Sequence, residues 1–207
     1  MNFSRHTLCY LDKNATNVAL SSPEQMDLFQ YWLKRGYPLI VTRQSEDLPS
    51  GQIQLAIPYF IPTQTKKLRA CYVIDNSWVI RMKALPSLKQ IFPYLELNMS
   101  AKIQVYGSYC WQYLTKEQYV QPSSDLDVLI PYKKQSLATL SELLKHLQKT
   151  LKIECIDGEI RFPALGDCSW KELLQIDFND SILFKTTKNV ILVKREGLYA
   201  NFPTLLS

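Results

Sequence analysis

A chain of 207 residues, 46% hydrophobic and 21% charged, has the composition of one large or two small globular domains, which excludes wholesale disorder. Its formal net charge of +5 suits an acidic or phosphorylated partner but is thin for a dedicated nucleic-acid binder. No apolar run approaches the roughly 20 residues of a membrane helix, and the opening residues lack a basic-then-apolar leader pattern, so a cytoplasmic protein with no membrane partner is expected.

The first well-marked element is a helix over 22–36. Ser22 is placed to cap it, Pro23 takes the first helical position, Gln25 completes a capping-box spacing and Gly36 supplies the stop. Met26, Phe29 and Leu33, widened by Leu28 and Trp32, form its apolar face. Residues 38–41 read as a short buried strand. The apolar stretch 53–61 is β-rich, but Pro58 and Pro62 lack N–H donors, so an edge or broken strand is expected. A strand at 71–74 and a short helix at 87–92 follow. This half carries no recognisable chemistry.

The second half is more legible. Residues 102–106 alternate polar and apolar as a strand, ended by Gly107-Ser108, with helix potential over 108–114 and a second strand at 125–130. Leu137, Leu140, Leu144, Leu147 and Leu151 fall at three- and four-residue steps, which predicts a helix over 136–150. Alternating segments at 152–156 and 159–162 flank Asp157-Gly158, the signature of a hairpin turn. Two strands, around 182–185 and 190–193, close the chain. The fold class is α/β in the α+β sense: a mixed sheet with flanking helices over 98–207, preceded by a smaller α+β domain over 1–97 that shapes the substrate pocket or a partner surface. The boundary fits best at 94–100.

The five cysteines are scattered, none in a C-x-x-C pair, and His6 and His146 are the only histidines, so structural zinc is not supported. Reduced thiols acting as small hydrophobes are expected. Cys110 with His146 is a formal nucleophile pair that nothing local supports.

Chemistry concentrates in two places: Gly107-Ser108 at a strand-to-helix turn, and Asp125-Leu126-Asp127 opening a strand. Strand residues two apart share a face, so Asp125 and Asp127 project together while Leu126 and Val128 point the other way. Carboxylates facing one way repel unless a cation sits between them, and magnesium characteristically takes one or two carboxylates plus substrate phosphates. Gly107 would admit a phosphate to the backbone, and Ser108 at a helix start would offer a hydroxyl and amides. The reaction implied is phosphoryl or nucleotidyl transfer. Taken singly, Gly-Ser is also an ordinary turn and Asp-x-Asp an ordinary solvated pair.

The order Gly107-Ser108, spacer, Asp125-Leu126-Asp127 resembles the DNA polymerase beta-like nucleotidyltransferase superfamily. The longer text Val105-Tyr106-Gly107-Ser108, Trp111-Gln112, Leu114-Thr115, Tyr119 and Ser124-Asp125-Leu126-Asp127 resembles the phosphoribosyl-dephospho-CoA transferases, the holo-acyl-carrier-protein synthases of malonate decarboxylase. Arg5-His6, residues 38–41, Asp157-Gly158-Glu159, Trp170-Lys171-Glu172 and a strand ending in Lys185 extend the likeness along nearly the whole chain. Sixteen residues separate Ser108 from Asp125, a spacer longer than is usual in the superfamily, and Lys116 stands where this family tends to have glycine.

The resemblance implies transfer of the phosphoribosyl-dephospho-CoA group from 2'-(5''-triphosphoribosyl)-3'-dephospho-CoA to a serine of an apo acyl carrier protein, with release of diphosphate. It implies magnesium on Asp125 and Asp127, a diphosphate grip at Gly107 and Ser108, and a third carboxylate, for which Asp157 is the candidate and Glu159 the reserve. An Asp-Gly turn needs no function, so that assignment stands against a plain hairpin. Lys185 would neutralise phosphate charge. Tyr119, with Trp111 and Tyr113, would stack on adenine, although Trp111 at helical spacing also fits a core position. The basic groups Lys66-Lys67 with Arg69, Lys133-Lys134, Lys185 with Lys188 and Lys194-Arg195 otherwise read as solvated surface. Other readings are the related citrate lyase enzyme, a nucleotidyltransferase acting on RNA, an antibiotic or a protein hydroxyl, and an inactive nucleotidyltransferase-fold binding module. Intact Asp125 and Asp127 weigh against the last.

Overall fold

Ser22 does cap the first long helix. In the computed structural model, which describes residues 3–19, 21–61, 66–95, 103–175 and 180–207, α1 (Pro23–Arg35) carries a complete capping box. The Ser22 side chain accepts from Gln25 N–H, the Gln25 side chain reaches back to the cap, and Gly36 takes a left-handed φ of 65° at the C-terminus. Phe29, Trp32 and Leu33 are its buried residues. The Trp32 indole N–H donates to Pro38 O at 2.8 Å, and the Tyr72 hydroxyl donates to Gln25 O at 2.7 Å while its ring lies 4.8 Å from that of Phe29.

Those contacts fix α1 within the first of two compact units, Met1–Leu85. Its sheet is antiparallel throughout, built from β1 (Leu8–Leu11), β2 (Leu39–Val41), β3 (Gln52–Ile61), β4 (Lys66–Asp75) and β5 (Val79–Lys83) in the order β4-β3-β2-β1-β5. The expectation of an edge or broken strand at 53–61 needs correcting. β3 runs unbroken and pairs with β4 along its full length. It is interior only at Leu55 and Ala56, where β2 lies alongside. Pro58 falls on the stretch paired on one side, where its missing donor costs little.

The second unit, Pro86–Ser207, contains α2 (Leu88–Ile91), β6 (Gln104–Tyr106), α3 (Gly107–Thr115), β7 (Leu126–Pro131), α4 (Leu137–Leu151), β8 (Ile156–Phe162), β9 (Gly166–Ser169), α5 (Trp170–Leu174), β10 (Ser181–Lys185), β11 (Val190–Lys194) and α6 (Arg195–Asn201). The division falls earlier than the boundary read from the sequence, part of which (96–100) lies outside the described residues. Residues 86–88 go with the second unit because Leu88 N–H donates to Ile103 O at 2.9 Å and Val105 N–H to Pro86 O at 2.9 Å.

The second sheet is mixed, in the order β11-β10-β9-β8-β7-β6, and its one parallel pairing is β7 with β8. Here the hairpin expectation fails. Asp157-Gly158 is no turn; both residues lie inside β8, opposite Asp127 and Val128. The chain reaches β8 through α4 as a βαβ crossover. Gly158 is there for space: a Cβ on it would overlap the Val128 carbonyl oxygen and meet Val128 Cγ2 at 2.8 Å. Leu126, Val128 and Ile130 alternate with Ile156, Ile160 and Phe162 as fully buried side chains on one face, leaving Asp127, Asp157, Glu159 and Arg161 on the other.

The leucine stripe of α4 is buried at Leu137, Leu140, Leu143, Leu147 and Leu151, so Leu143 takes the place expected of Leu144. Arg195 also departs from expectation. It is 7% exposed, and its guanidinium donates to the carbonyls of Leu173, Glu172 and Gln175 at 3.1, 2.6 and 2.8 Å, closing the C-terminal end of α5. Cys9, Cys110 and Cys168 are buried as expected, whereas Cys71 and Cys155 are exposed. Burial pushes the Cys9 thiol up to about 12 and raises Cys110 as well, and His146 lies exposed on α4, so Cys110 is no activated nucleophile. Among the described residues no helix is long and apolar enough to cross a membrane.

Gly158→Ala forces Val128 off β8. It is expected to destabilise the protein by about 2 kcal/mol, read as a lowered midpoint in chemical denaturation. Gly197→Ala, where an added methyl group would meet nothing within 4 Å, is the control.

Candidate active site

Three strands meet at Asp127. On one side β6 ends at Tyr106, the antiparallel partner of Asp127, and the chain turns at once into α3. Gly107 makes that turn with φ at 64°, and a Cβ on it would overlap the Asp127 carboxylate, whose Cγ lies at 2.8 Å. Glycine is therefore demanded twice, by the left-handed backbone and by the carboxylate against it. On the other side the parallel register sets Asp127 opposite Asp157.

Asp125 directly precedes β7. Leu126 N–H donates to Cys155 O at 3.0 Å, which continues the β7–β8 pairing backwards to this point. The Asp125 carboxylate also hydrogen-bonds the Cys155 thiol. That bond, with desolvation and the negative charges of Asp125 and Asp157, raises the thiol above its ordinary value, while Lys171 opposes the rise. Cys155 thus feels Asp125, Asp157 and Lys171 together. Ser108, 8% exposed, lies in the first turn of α3, where no side-chain cap is made by Tyr106. The fold therefore brings Gly107, Ser108, Asp125, Asp127 and Asp157 to one end of the β6-β7-β8 sheet.

The two candidates for a third carboxylate have different surroundings. Asp157 is half exposed, accepts from Gly158 N–H at 2.8 Å and has Lys171 Nζ 3.6 Å away. Glu159, next along the same face, is buried and ion-paired to Lys185 Nζ at 2.9 Å. One more step along, Arg161 clasps the buried Asp167 through two bonds of 2.6 and 2.8 Å. Burial alone would lower the Arg161 pKa, but the bond and charge of Asp167 and the charge of Glu159 outweigh it and hold the guanidinium above its usual value. Glu159 is engaged with Lys185, which leaves Asp157 as the carboxylate facing solvent beside Asp127.

The long spacer between Ser108 and Asp125 is organised from within. Gln112 Oε1 accepts from the N–H groups of Tyr119 and Val120 at 3.2 and 2.9 Å, Thr115 Oγ1 donates back to Trp111 O at 2.7 Å, and Ser124 Oγ accepts from Gln121 N–H at 2.9 Å. Lys116 ends α3 in the left-handed region with φ at 63°, a conformation glycine adopts without strain. Trp111 and Tyr119 are 3% and 8% exposed, so little of either ring is open to a base. Sequence reasoning assigned no role to Lys171; its one signal was a basic residue within the Trp170-Lys171-Glu172 likeness.

Residues 73–196 match the family model described as the phosphoribosyl-dephospho-CoA transferase MdcG C-terminal domain. Curated relatives named phosphoribosyl-dephospho-CoA transferase include one from Xanthomonas axonopodis pv. citri, 28% identical with 94% of this chain and 96% of the relative covered. One from Xanthomonas euvesicatoria pv. vesicatoria is 26% identical with 94% and 96% covered, and one from Bradyrhizobium diazoefficiens is 25% identical with 92% and 90% covered. No solved structure gives a significant match. With a mixed α+β fold and relatives of this kind, the protein is an enzyme of the transferase class. The chain belongs to the phosphoribosyl-dephospho-CoA transferase family, as the residues at 105–127 led one to expect.

Gly107→Ala would push the Asp127 carboxylate aside. Transfer activity is expected to fall about 100-fold or more, the scale of an ångström-sized misplacement, while far-ultraviolet circular dichroism stays unchanged. Activity within a few-fold of wild type would show that the Gly107–Asp127 contact is dispensable.

Proposed function

We propose that the enzyme transfers the phosphoribosyl-dephospho-CoA group from 2'-(5''-triphosphoribosyl)-3'-dephospho-CoA to a serine of the apo acyl carrier protein subunit of malonate decarboxylase. The serine oxygen bonds to the α-phosphorus, the bond from that phosphorus to the diphosphate breaks, diphosphate leaves and the hydroxyl proton is released. The observation that carries this reading is Asp127 held between Gly107 and Asp157.

The carboxylates of Asp125, Asp127 and Asp157 form a hard, oxygen-only donor set, which fits magnesium. Bound there, magnesium would supply charge neutralisation on the phosphate oxygens. The residues contribute the rest. Gly107 leaves room for the Asp127 carboxylate at the start of α3, and the amides of that first turn with Ser108 would hold the departing diphosphate. Lys185 is held on the same sheet face by its ion pair with Glu159. Three acidic side chains gathered beside a helix start, with Cys110 buried and its thiol raised, support phosphoryl-group chemistry rather than hydrolysis by a thiol.

Apo carrier protein incubated with the enzyme, the triphosphoribosyl donor and magnesium is expected to gain the mass of one prosthetic group on one serine. Asp127→Asn and Asp157→Asn are each expected to slow this by about 100-fold or more without loss of fold. No mass gain with wild-type enzyme, or near-normal rates in Asp127→Asn, would overturn the reading.

The family likeness implies an acidic carrier surface. A +5 enzyme then meets it through long-range attraction that salt screens. Apparent carrier affinity is expected to weaken steadily up to about 0.3 M salt, where the Debye length is roughly 6 Å, and to weaken on Lys133→Glu/Lys134→Glu, which reverses two exposed charges just beyond β7.

A further inference from the structure

One flank of α3 carries a feature that phosphate chemistry does not use. Tyr109, Gln112, Tyr113 and Lys116 fall at three- and four-residue steps and line one side of an open groove of about 590 Å³, with Phe92 at the end of α2 and Val120 of the spacer on the other walls. The Phe92 and Tyr109 rings lie 5.8 Å apart, and the Lys116 ammonium stands 4.5 Å from the centre of the Tyr113 ring. The groove is thus lined by aromatic rings, with the Lys116 ammonium and the neighbouring Glu117 carboxylate at the end of α3. Its size is that of a small-molecule site.

Its position specifies the occupant. The groove begins at Tyr109, the residue after Ser108, and follows α3 away from the proposed phosphate grip. Tyr113 is six residues from Gly107, roughly 9 Å along the helix axis. In the donor, the ribosyl unit and the ribose of adenosine separate the reacting phosphate from the purine, a span comparable to two helical turns, about 11 Å. We infer that this groove binds the adenosine end of the donor, with the purine stacked on Tyr113 and Tyr109 and the 5'-diphosphate of dephospho-CoA paired with Lys116. A purine stacks on aromatic rings irrespective of hydrogen-bond readout, and an ammonium beside the stack complements the diphosphate charge. The inference rests on the transferase reading and names the rings that Trp111 and Tyr119, both buried, do not provide.

The test uses dephospho-CoA, which lacks the triphosphoribosyl arm, titrated calorimetrically into the full-length protein. Wild type is expected to bind it, Tyr113→Ala to weaken binding about tenfold, Tyr113→Phe to restore most of it, and Lys116→Gln to weaken it about fivefold. If Tyr113→Ala does not fold, as judged by circular dichroism, the exposed Lys116→Gln decides. Failure of wild type to bind dephospho-CoA, or equal affinity in wild type and the folded variants, overturns the inference. Group transfer by the same wild-type preparation is assayed in parallel. Transfer with an unaffected dephospho-CoA affinity in the variants condemns the groove alone, whereas binding that depends on Tyr113 without transfer sustains the groove and condemns the transferase reading.

Discussion

Parallel pairing of β7 with β8 sets Asp127 opposite Asp157, so two acidic residues lie side by side on one face of the sheet. Like charges on neighbouring strands repel, the more weakly here because the Asp157 side chain is 42% exposed. Nothing on that face compels the arrangement. The opposite face does: Val128, Ile130, Ile156 and Ile160 are completely buried, and a slip of one residue in either strand would turn them out to solvent. Burial of one face thus sets the register that gathers charge on the other. Lys171, 3.6 Å from Asp157, relieves part of the repulsion from outside the strands.

The same face shows how such charges are kept from cancelling one another. Glu159 is tied to Lys185 and Asp167 to Arg161, each pair closer than 3 Å and each with its carboxylate buried. These pairs fix cations and anions in place along the sheet and leave the end nearest α3 net acidic. A cation with hard oxygen preference answers that imbalance, and a polyphosphate substrate brings its own countercharge with it.

Legibility followed physical distinctness. The capping box of Ser22 and Gln25 and the stop at Gly36 are local chemistry, and the helix they mark was readable to within a residue. The Gly107-Ser108 and Asp125-Leu126-Asp127 texts were readable because backbone hand and alternation act over a few residues. Asp157-Gly158 was misread for an instructive reason. Glycine in a hairpin supplies a positive φ, but in β8 it supplies space against the Val128 backbone, and the dipeptide is the same for both. The alternation of Ile156, Gly158, Ile160 and Phe162 against Asp157, Glu159 and Arg161 ran unbroken through it and was the better guide. Arg195 looked like surface charge because its use, closing the carbonyl end of α5, depends on a chain segment some 20 residues earlier. Strands β1, β5 and β9 carry short mixed patterns that acquire meaning only from their neighbours in the sheet.

Helix α3 ties these threads together because its two ends are fixed for unrelated reasons. Its start is pinned sterically, Gly107 against the Asp127 carboxylate, so the helix cannot rotate or advance without moving a site carboxylate. Its end is pinned by hydrogen bonds, Gln112 holding the backbone of Tyr119 and Val120 and Thr115 bonding back to Trp111. Just past that end Lys116 sits in a left-handed conformation that costs a non-glycine residue about 1 kcal/mol. In this chain the cost has a local offset, since the ammonium reaches the Tyr113 ring at 4.5 Å, a contact worth about 0.5 to 1 kcal/mol at an exposed site. A glycine there would end the helix with less strain but leave the ring without its cation. The lysine therefore sets the charge beside the Tyr113 ring, while the path of the spacer loop towards Asp125 and Asp127 is left to Gln112.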